Sequence, residues 1–360
     1  TSLDAKGYIF LDEAQKVPGI FDMIKLLFDE HGREVKLILS GSSSIEVQKR
    51  AAETLAGRIR YHYLFPLTLK ELLTHHGLWT DDRGPLECIS KGTVDIRALE
   101  EIQASLWQSR GSILGLRDRL ILFGSLPAVY SEPSDEEKWY ILRDYAATYI
   151  EKDVRLLHGV GNLDLFHRLY RSLILQHGQI LNVSNLANDL GASRNTIDSY
   201  INVLEQTYVL HRLPAFSRRP KVRLMKAPKV YLFDSGLVNH ETRQTSVESL
   251  ATSGRRGAIE EGFTLSHLLS IAKEMAMPPE VSYLRTYGGH EIDLVIEGDG
   301  TLGIEVTTEE RMRKKRYQNI EYISENAGVQ QIVIIGRFPE LRTERIGSAQ
   351  ATLVPNWMAW

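Results

Sequence analysis

Three patterns along the chain predict an α/β fold built from several units. Near the N-terminus two apolar runs, 8–11 and 35–39, flank a segment in which Phe21, Ile24, Leu27 and Phe28 recur at helical spacing. Midway, a short helix near 184–190, the turn Gly191-Ala192-Ser193 and a helix over 194–206 read as a helix-turn-helix. From about 217 onward, strands and helices alternate again.

Residues 1–66 form the first unit. Two strands with a helix between them imply a parallel crossover. The first strand reads as buried and ends in Asp12-Glu13, which puts two carboxylates at its C-terminal edge, where open α/β sheets bind ligands. The second strand ends in Ser40-Gly41-Ser42-Ser43-Ser44, residues 44–56 read as a helix, and Phe65-Pro66 closes the unit. Residues 67–160 read as helical. Within them the polar stretch 79–95, with Asp81-Asp82-Arg83-Gly84-Pro85, is expected to be a loop or insertion, and 139–157 a long amphipathic helix. Residues 161–216 hold a helix near 163–177 and then the helix-turn-helix. Gly191 suits a left-handed helix stop, and Ser193 suits an N-cap. In the helix that follows, Ile197, Tyr200, Ile201 and Leu204 share one face, while Arg194, Asn195, Asp198, Ser199 and Asn202 share the other. A strand pair over 208–216 is expected to form a trailing wing. Residues 217–360 read as a second α/β unit, with strands at 229–233, 281–284, 291–296, 302–306 and 331–335 and helices at 257–275 and 310–326.

The 360 residues are 43% hydrophobic and 25% charged, which suits a soluble globular protein of two or three domains. A net charge of −3 excludes a global pull toward nucleic acid or anionic membrane, so any such affinity rests on local patches. One cysteine, Cys88, excludes an internal disulfide framework and favours a reducing, cytoplasmic location. No apolar stretch is long enough to span a bilayer, so no membrane partner is expected. Thr1-Ser2-Leu3-Asp4 lacks a basic n-region, and the start inside a folded unit leads to the expectation of a partial chain.

Five motifs in order resemble one family, the prokaryotic AAA+-superfamily ATPases whose C-terminal half carries the domain DUF4143. Ile9-Phe10-Leu11-Asp12-Glu13-Ala14-Gln15 resembles its Walker B strand, and Leu37-Ile38-Leu39-Ser40-Gly41-Ser42-Ser43 its sensor strand. Leu55-Ala56-Gly57-Arg58, with Phe65-Pro66-Leu67 and Glu71 after it, resembles the close of its ATPase core. Gly124-Ser125-Leu126-Pro127 resembles its Gly-Gly-x-Pro motif, and 227–237 (Ala-Pro-Lys-Val-Tyr-Leu-Phe-Asp-Ser-Gly-Leu) its most recognisable signature. The resemblance implies part of a P-loop NTPase (AAA+-like) core, a helical lid, a winged helix-turn-helix and a C-terminal restriction-endonuclease-like domain. It implies ATP and Mg²⁺ as cofactors, with Asp12 holding the metal and Glu13 orienting water. No G-x-x-x-x-G-K-[S/T] loop occurs in the chain, so the chain by itself is expected to bind ATP weakly or not at all, with ATPase activity belonging to an intact protein. Ser40 stands where a hydroxyl can meet water or the γ-phosphate, or can simply satisfy a turn. Arg58, with Arg60 nearby, stands where a finger would reach a neighbouring subunit's ATP, implying a homo-oligomer; the bland alternative is a surface arginine paired with an acid. Glu261, Asp293 and Glu305 sit where acids of nuclease-like folds sit, but Thr307 takes the lysine position. That departure favours a scaffold kept for binding over a metal-dependent nuclease. His290 and Glu291 flank Asp293, and a lone histidine in a Gly-Gly-His turn reads as a surface residue.

Arg194, Asn195, Thr196 and Ser199 have the chemistry to meet phosphates and base edges from the start of a recognition helix. From Gln206 to Phe233 there is no acid but there are seven bases: Arg212, Arg218, Arg219, Lys221, Arg223, Lys226 and Lys229. This is the expected footprint on double-stranded DNA, with a protein-interaction module as the alternative. The run Arg311–Arg316 reads as an exposed helix face paired with Glu309 and Glu310. The leading expectation is an ATP-hydrolysing protein that couples nucleotide state to DNA or partner binding. The rivals are a regulatory binding module without ATP turnover and a metal-dependent nuclease.

Overall fold

The fold comes from a computed structural model, which describes residues 7–17, 19–32, 35–41, 55, 58–149, 160–219, 223 and 226–360. Of the expected helix over 44–56 only residue 55 falls within these. Ser42–Ser44, the end of the expected 139–157 helix, Ala56-Gly57 and Lys221 lie outside the described residues.

Strand β1 (Gly7–Leu11) runs parallel to β2 (Val35–Leu39), with Gly7 opposite Val35 and Leu11 opposite Leu39. Helix α1 (Ile20–His31) connects them, and its Phe21 and Ile24 pack with Ala14 and Leu55 in a small core of their own. The strands are not buried as their sequence predicts: Tyr8, Ile9, Phe10 and Ile38 are exposed. Among the described residues one helix packs on this two-stranded sheet, and a single helix covers one face.

The helical stretch holds α2 (Leu69–His75), α3 (Ile96–Leu106), α4 (Arg110–Phe123), α5 (Pro127–Ser131) and α6 (Asp135–Tyr149). Thr68 and Glu71 start α2 with a reciprocal capping box. The stretch 79–95 is irregular but not a polar excursion. Leu86, Cys88 and Ile89 are buried, the Leu86 N–H donates to the Trp360 carbonyl (3.1 Å), and Trp79 meets Trp360 edge-on at 5.2 Å. The apolar residues between its charges decide its place.

Two family-like motifs turn out to be one contact. Gly124 has φ 80°, and a Cβ there would overlap the Asp234 carboxylate. That carboxylate accepts from the Ser125 N–H (2.7 Å) and the Leu237 N–H (3.2 Å), capping α10 (Ser235–Glu241). Burial pushes the Asp234 carboxyl up to about 6. Gly236 lies so close to the Phe123 carbonyl that a side chain would not fit. Asn239 donates to the Ile121 and Leu122 carbonyls at 2.8 and 2.9 Å, satisfying acceptors that the end of α4 leaves open.

The middle of the chain runs α7 (Leu163–Leu175), β3 (Gln179–Ile180), α8 (Val183–Leu190), α9 (Arg194–Gln206), β4 (Leu210–Leu213) and β5 (Lys229–Leu232). Gly191 is left-handed (φ 64°), and the Ser193 hydroxyl accepts from the Thr196 N–H at 3.1 Å. The expected strand pair within 208–216 is a single strand. Its antiparallel partner is β5, which the sequence divides off into the C-terminal unit; β5 lies between β3 and β4. Its central place buries all four of its residues.

The rest comprises α11 (Val247–Thr252), α12 (Arg256–Glu274), β6 (Glu280–Arg285), β7 (Glu291–Glu297), β8 (Thr301–Val306), α13 (Lys314–Asn326), β9 (Gln331–Gly336), β10 (Arg342–Ile346) and β11 (Ala349–Pro355). Six strands form one mixed sheet in the order β10-β11-β9-β8-β7-β6. Ile332 and Ile334 of β9 face α13's Ile320 and Ile323, while Val333 and Ile335 join the large core on the other side. Both faces are therefore covered, which explains the continuous apolar runs. β10, a charged edge strand, and β11, whose opening Ala-Gln-Ala-Thr is not an apolar run, escape the sequence reading. A buried ionic chain ties α4 to α12: Arg117 to Glu260 (3.1 Å), Glu260 to Arg256 (2.7 Å) and Arg256 to Asp118 (2.9 Å). Among the described residues no helix is long and apolar enough to cross a membrane.

Candidate functional sites

The first site lies where β1 and β2 end side by side. The Ser40 N–H bonds the Leu11 carbonyl (2.9 Å) and the Ala14 N–H bonds the Ser40 carbonyl (3.1 Å), continuing the parallel pairing past the strands. This brings Ser40 Oγ to Asp12 Oδ1, to which it donates, and the Glu13 N–H donates to the same oxygen at 3.0 Å. Glu13 is left-handed (φ 52°, ψ 43°), and its carboxylate lies 3.6 Å from Lys16 Nζ. A non-glycine residue in that conformation is uncommon and is held by its surroundings. Arg58 sits elsewhere. It pairs with Asp29 at the end of α1 (2.7 Å) and lies 5.6 Å from the Phe28 ring. In this arrangement its guanidinium is engaged in a surface ion pair.

The second site gathers acids from α12, β7 and β8 around a lysine from β5. Lys229 Nζ lies 2.9 Å from Glu261 Oε1, 2.5 Å from Glu291 Oε1 and 4.0 Å from Asp293 Oδ1. Tyr231 donates to Glu261, and Asp293 Oδ2 accepts from the Val306 N–H at 2.8 Å. Glu305 pairs with Arg316 and meets Asn319 Nδ2 at 3.4 Å. The sequence-predicted acids Glu261, Asp293 and Glu305 are thus brought together. Thr307, in the lysine position, is buried with its N–H on the Ile335 carbonyl (2.8 Å); the cation comes from Lys229 instead. Arg316 likewise leaves the expected exposed face to meet Glu305, while Arg313 pairs with Glu309 (3.0 Å) as predicted. His290 is not a bare surface residue, since its ring stacks on Tyr322 at 4.0 Å.

Lys229 is the residue the sequence reading missed. Its signal was available: a lysine opening the buried run Val230-Tyr231-Leu232 must find a counter-ion. Four carboxylates face three cations, Lys229, Arg316 and, 3.9 Å from Glu291, Arg285, and the excess negative charge is shared unevenly. Burial, then the Asp293 charge, pushes Glu261 up to about 8. Burial also raises Asp293, and burial with the Asp293 charge raises Glu305 well above the carboxylate range. Burial works against the Lys229 ammonium, but Glu261, Asp293 and Glu291 outweigh it and raise its titration. The acids present their oxygens to Lys229, Tyr231 and Arg316 rather than to one shared point. Among the described residues no group of three or more His, Cys, Asp or Glu is placed to hold a metal ion. The metal role expected of Glu261, Asp293 and Glu305 therefore does not fit this arrangement of side chains.

The third candidate is the polar face of α9. Arg194, Asn195 and Ser199 are exposed, Arg194 lies 3.5 Å from Asp198, and the Thr196 hydroxyl is 2.8 Å from that of Ser193. In the basic stretch that follows, three of the six described bases pair with acids. Arg212 bonds Glu205 (Nε, 2.9 Å) and Asn202 (2.8 Å), Arg223 bonds Glu280 and Glu297 (3.0 Å), and Lys229 is buried. Arg218 reaches the Gly328 carbonyl (3.3 Å) beyond α13, and Arg219 is exposed. The unbroken cationic footprint expected from the sequence shrinks because the fold supplies acids that the local sequence lacks.

Comparison with known proteins matches three stretches of the chain. Residues 1–73 match the AAA domain, residues 115–248 a domain of unknown function (DUF8612) and residues 256–350 a domain of unknown function (DUF4143). Uncharacterized proteins of Mycobacterium tuberculosis and Mycobacterium bovis are each 26% identical over 294 residues, covering 82% of this chain and 57% of each relative. One from Methanocaldococcus jannaschii is 23% identical over 306 residues, covering 84% of this chain and 61% of that protein. The chain thus spans well under two thirds of the length of these relatives. No solved structure matches it. The AAA-domain match at its start and the DUF4143 match toward its end support an AAA-type protein with a C-terminal DUF4143 domain.

Proposed function

We propose that this chain contributes the magnesium side of an ATP-hydrolysis site and couples nucleotide state to the binding of double-stranded DNA or a partner. The carrying observation is the Ser40–Asp12 hydrogen bond at the adjoining C-terminal ends of two parallel strands, with Glu13 held left-handed beside it. A carboxylate and a hydroxyl at one point are hard oxygen donors that fit Mg²⁺ and its waters. Magnesium bound with ATP would offset the charge that develops during phosphoryl transfer. Asp12 holds the metal side, Ser40 fixes the Asp12 carboxylate, and Glu13 orients the attacking water. Arg58 reaches a neighbouring subunit only by leaving Asp29, so a finger role requires an oligomer that breaks that pair.

The order helix–strand–helix–helix–strand–strand from α7 to β5 supports a winged helix, with α9 as the element that meets a duplex. The sheet from β6 to β11 with α12 and α13 supports a restriction-endonuclease-like domain. A regulatory module without ATP turnover is the rival, and a cytoplasmic location suits both. The decisive experiment is steady-state Mg²⁺-ATP hydrolysis by the full-length protein and its Glu13→Gln variant. Turnover should vanish in the variant while ATP binding persists. Normal turnover in Glu13→Gln would show that Glu13 does not serve the water.

One observation favours a second reading. Lys229, 4.0 Å from Asp293, supplies the positive charge that Thr307 cannot. Metal-dependent cleavage would require the acids to exchange Lys229 and Arg316 for the ion. Plasmid nicking in Mg²⁺ or Mn²⁺, lost in Asp293→Ala, is its test; an uncut plasmid across a metal series removes it.

A further inference from the structure

The turn between β6 and β7 is rigid yet presents an aromatic ring to solvent. Thr286 N–H bonds the His290 carbonyl (2.9 Å), His290 N–H bonds the Thr286 hydroxyl (3.1 Å), and Gly289 takes φ 81°. His290 is held on α13 by its stack with Tyr322 and lies 3.3 Å from Asn319 Oδ1. In this anchored turn Tyr287 is 104% exposed, so its ring contributes nothing to packing. A cleft of about 210 Å³ opens beside it, lined among others by Lys226, Ala227, Tyr283, Arg285 and Tyr287. Lys226 Nζ lies 6.0 Å from the Tyr287 ring centroid and, among the described residues, has no carboxylate partner. Arg285 is half-exposed, with Glu291 at 3.9 Å. Tyr283 forms the inner wall, its hydroxyl on the Ala227 carbonyl (2.6 Å) and its ring 5.6 Å from Lys229 Nζ.

An exposed aromatic face flanked by an ammonium and a guanidinium is the chemistry that stacks a base and pairs its phosphate. Bases in a duplex are already stacked on one another, so a ring on a rigid turn can take only an unpaired one. We propose that this cleft binds a nucleotide unit of a single-stranded nucleic acid, its base stacked on Tyr287 and its phosphate held by Lys226 and Arg285. The site is separate from α9 and from Asp12, and it does not rest on the ATPase reading. A free mononucleotide offers the same base and phosphate, so the test must separate the two sources.

The test is fluorescence anisotropy of a labelled 20-nucleotide oligothymidylate with the full-length protein over a salt series, with a 20-base-pair duplex in parallel. Wild-type protein should bind the single strand. Tyr287→Ala should weaken that binding about tenfold while Tyr287→Trp retains it. Lys226→Ala with Arg285→Ala should weaken it and lower its salt slope by about 0.7 for each charge removed. Duplex binding should be unchanged in Tyr287→Ala, and Glu13→Gln should leave single-strand binding unchanged, which separates this site from the ATPase. Thermal melts matching wild type check that the surface substitutions leave the fold intact. No binding of the oligothymidylate, or equal affinity in Tyr287→Ala and the double charge variant, overturns the proposal. Displacement of the oligothymidylate by equimolar ATP assigns the cleft to mononucleotides and overturns it as well.

Discussion

Replacing Lys229 with methionine probes the charged cluster most directly. The substitution keeps much of the side chain's length and removes only the cation that Glu261, Glu291 and Asp293 share. Lys229 is 4% exposed and Glu261 8%, so solvent cannot replace the lost partner. Removing one partner of a buried pair costs about 3–5 kcal/mol, because the other charge is left uncompensated. At about 2–4 °C per kcal/mol for a unit of this size, the melting temperature should fall by roughly 6–20 °C. The loss should also depend on pH. Glu261 titrates near 8 in the folded protein against an ordinary 4.5, so the folded state holds a proton there that the unfolded chain has released. Its contribution to stability is full below about 4.5 and is lost as pH rises through about 8. Without Lys229 the ionised form is worse still, and the neighbouring acids (Glu291, Asp293 and Glu305) add to the repulsion, with Arg316 and Arg285 the remaining cations. Lys229→Met should therefore be less damaging at pH 5 than at pH 8. Differential scanning calorimetry of both proteins at the two pH values measures this. A melting shift below about 2 °C, or one equal at both pH values, would refute the claim that Lys229 neutralises the cluster.

Other expectations test the remaining elements. His267 Nε2 accepts from the Leu69 N–H (2.9 Å), and burial holds its pKa near 4 against an ordinary 6.5. The unfolded chain binds more protons between those values, so this term stabilises above about 6.5 and is lost as pH falls toward 4. The melting difference between wild type and His267→Gln should narrow over that range; taking the difference cancels the opposite slopes of Asp234 and Glu261. Gly124→Ala should cost about 1–3 kcal/mol from the left-handed backbone alone, with further loss from overlap with Asp234, seen as a lower melting temperature. Arg194→Ala should weaken duplex binding alike across sequences and lower the salt slope by about 0.9. Arg218→Ala should have little effect, because Arg218 is held at Gly328; unchanged affinity in Arg194→Ala would remove α9 as the duplex-binding element.

What the sequence by itself determined is local. Asp12-Glu13 at the end of an apolar run, the Gly191 stop, the Ser193 cap and the amphipathic α9 all follow from spacing and side-chain chemistry within a few residues. Those are the scales on which helix and strand periodicity act. The AAA and DUF4143 resemblance rested on the same local motifs and agrees with the matched domains. Only the tertiary structure decided who meets whom. It paired β5 with β3 and β4, joined Gly124 to Asp234, brought Lys229 to acids from another strand and a helix, and drew Arg212 and Arg223 into ion pairs. Apart from Arg212–Glu205, these contacts depend on residues far apart in sequence, and burial strengthens them by removing the water that would screen each charge. A run of bases read in isolation looks like a surface for DNA, whereas in the fold half of its described bases are taken up in ion pairs.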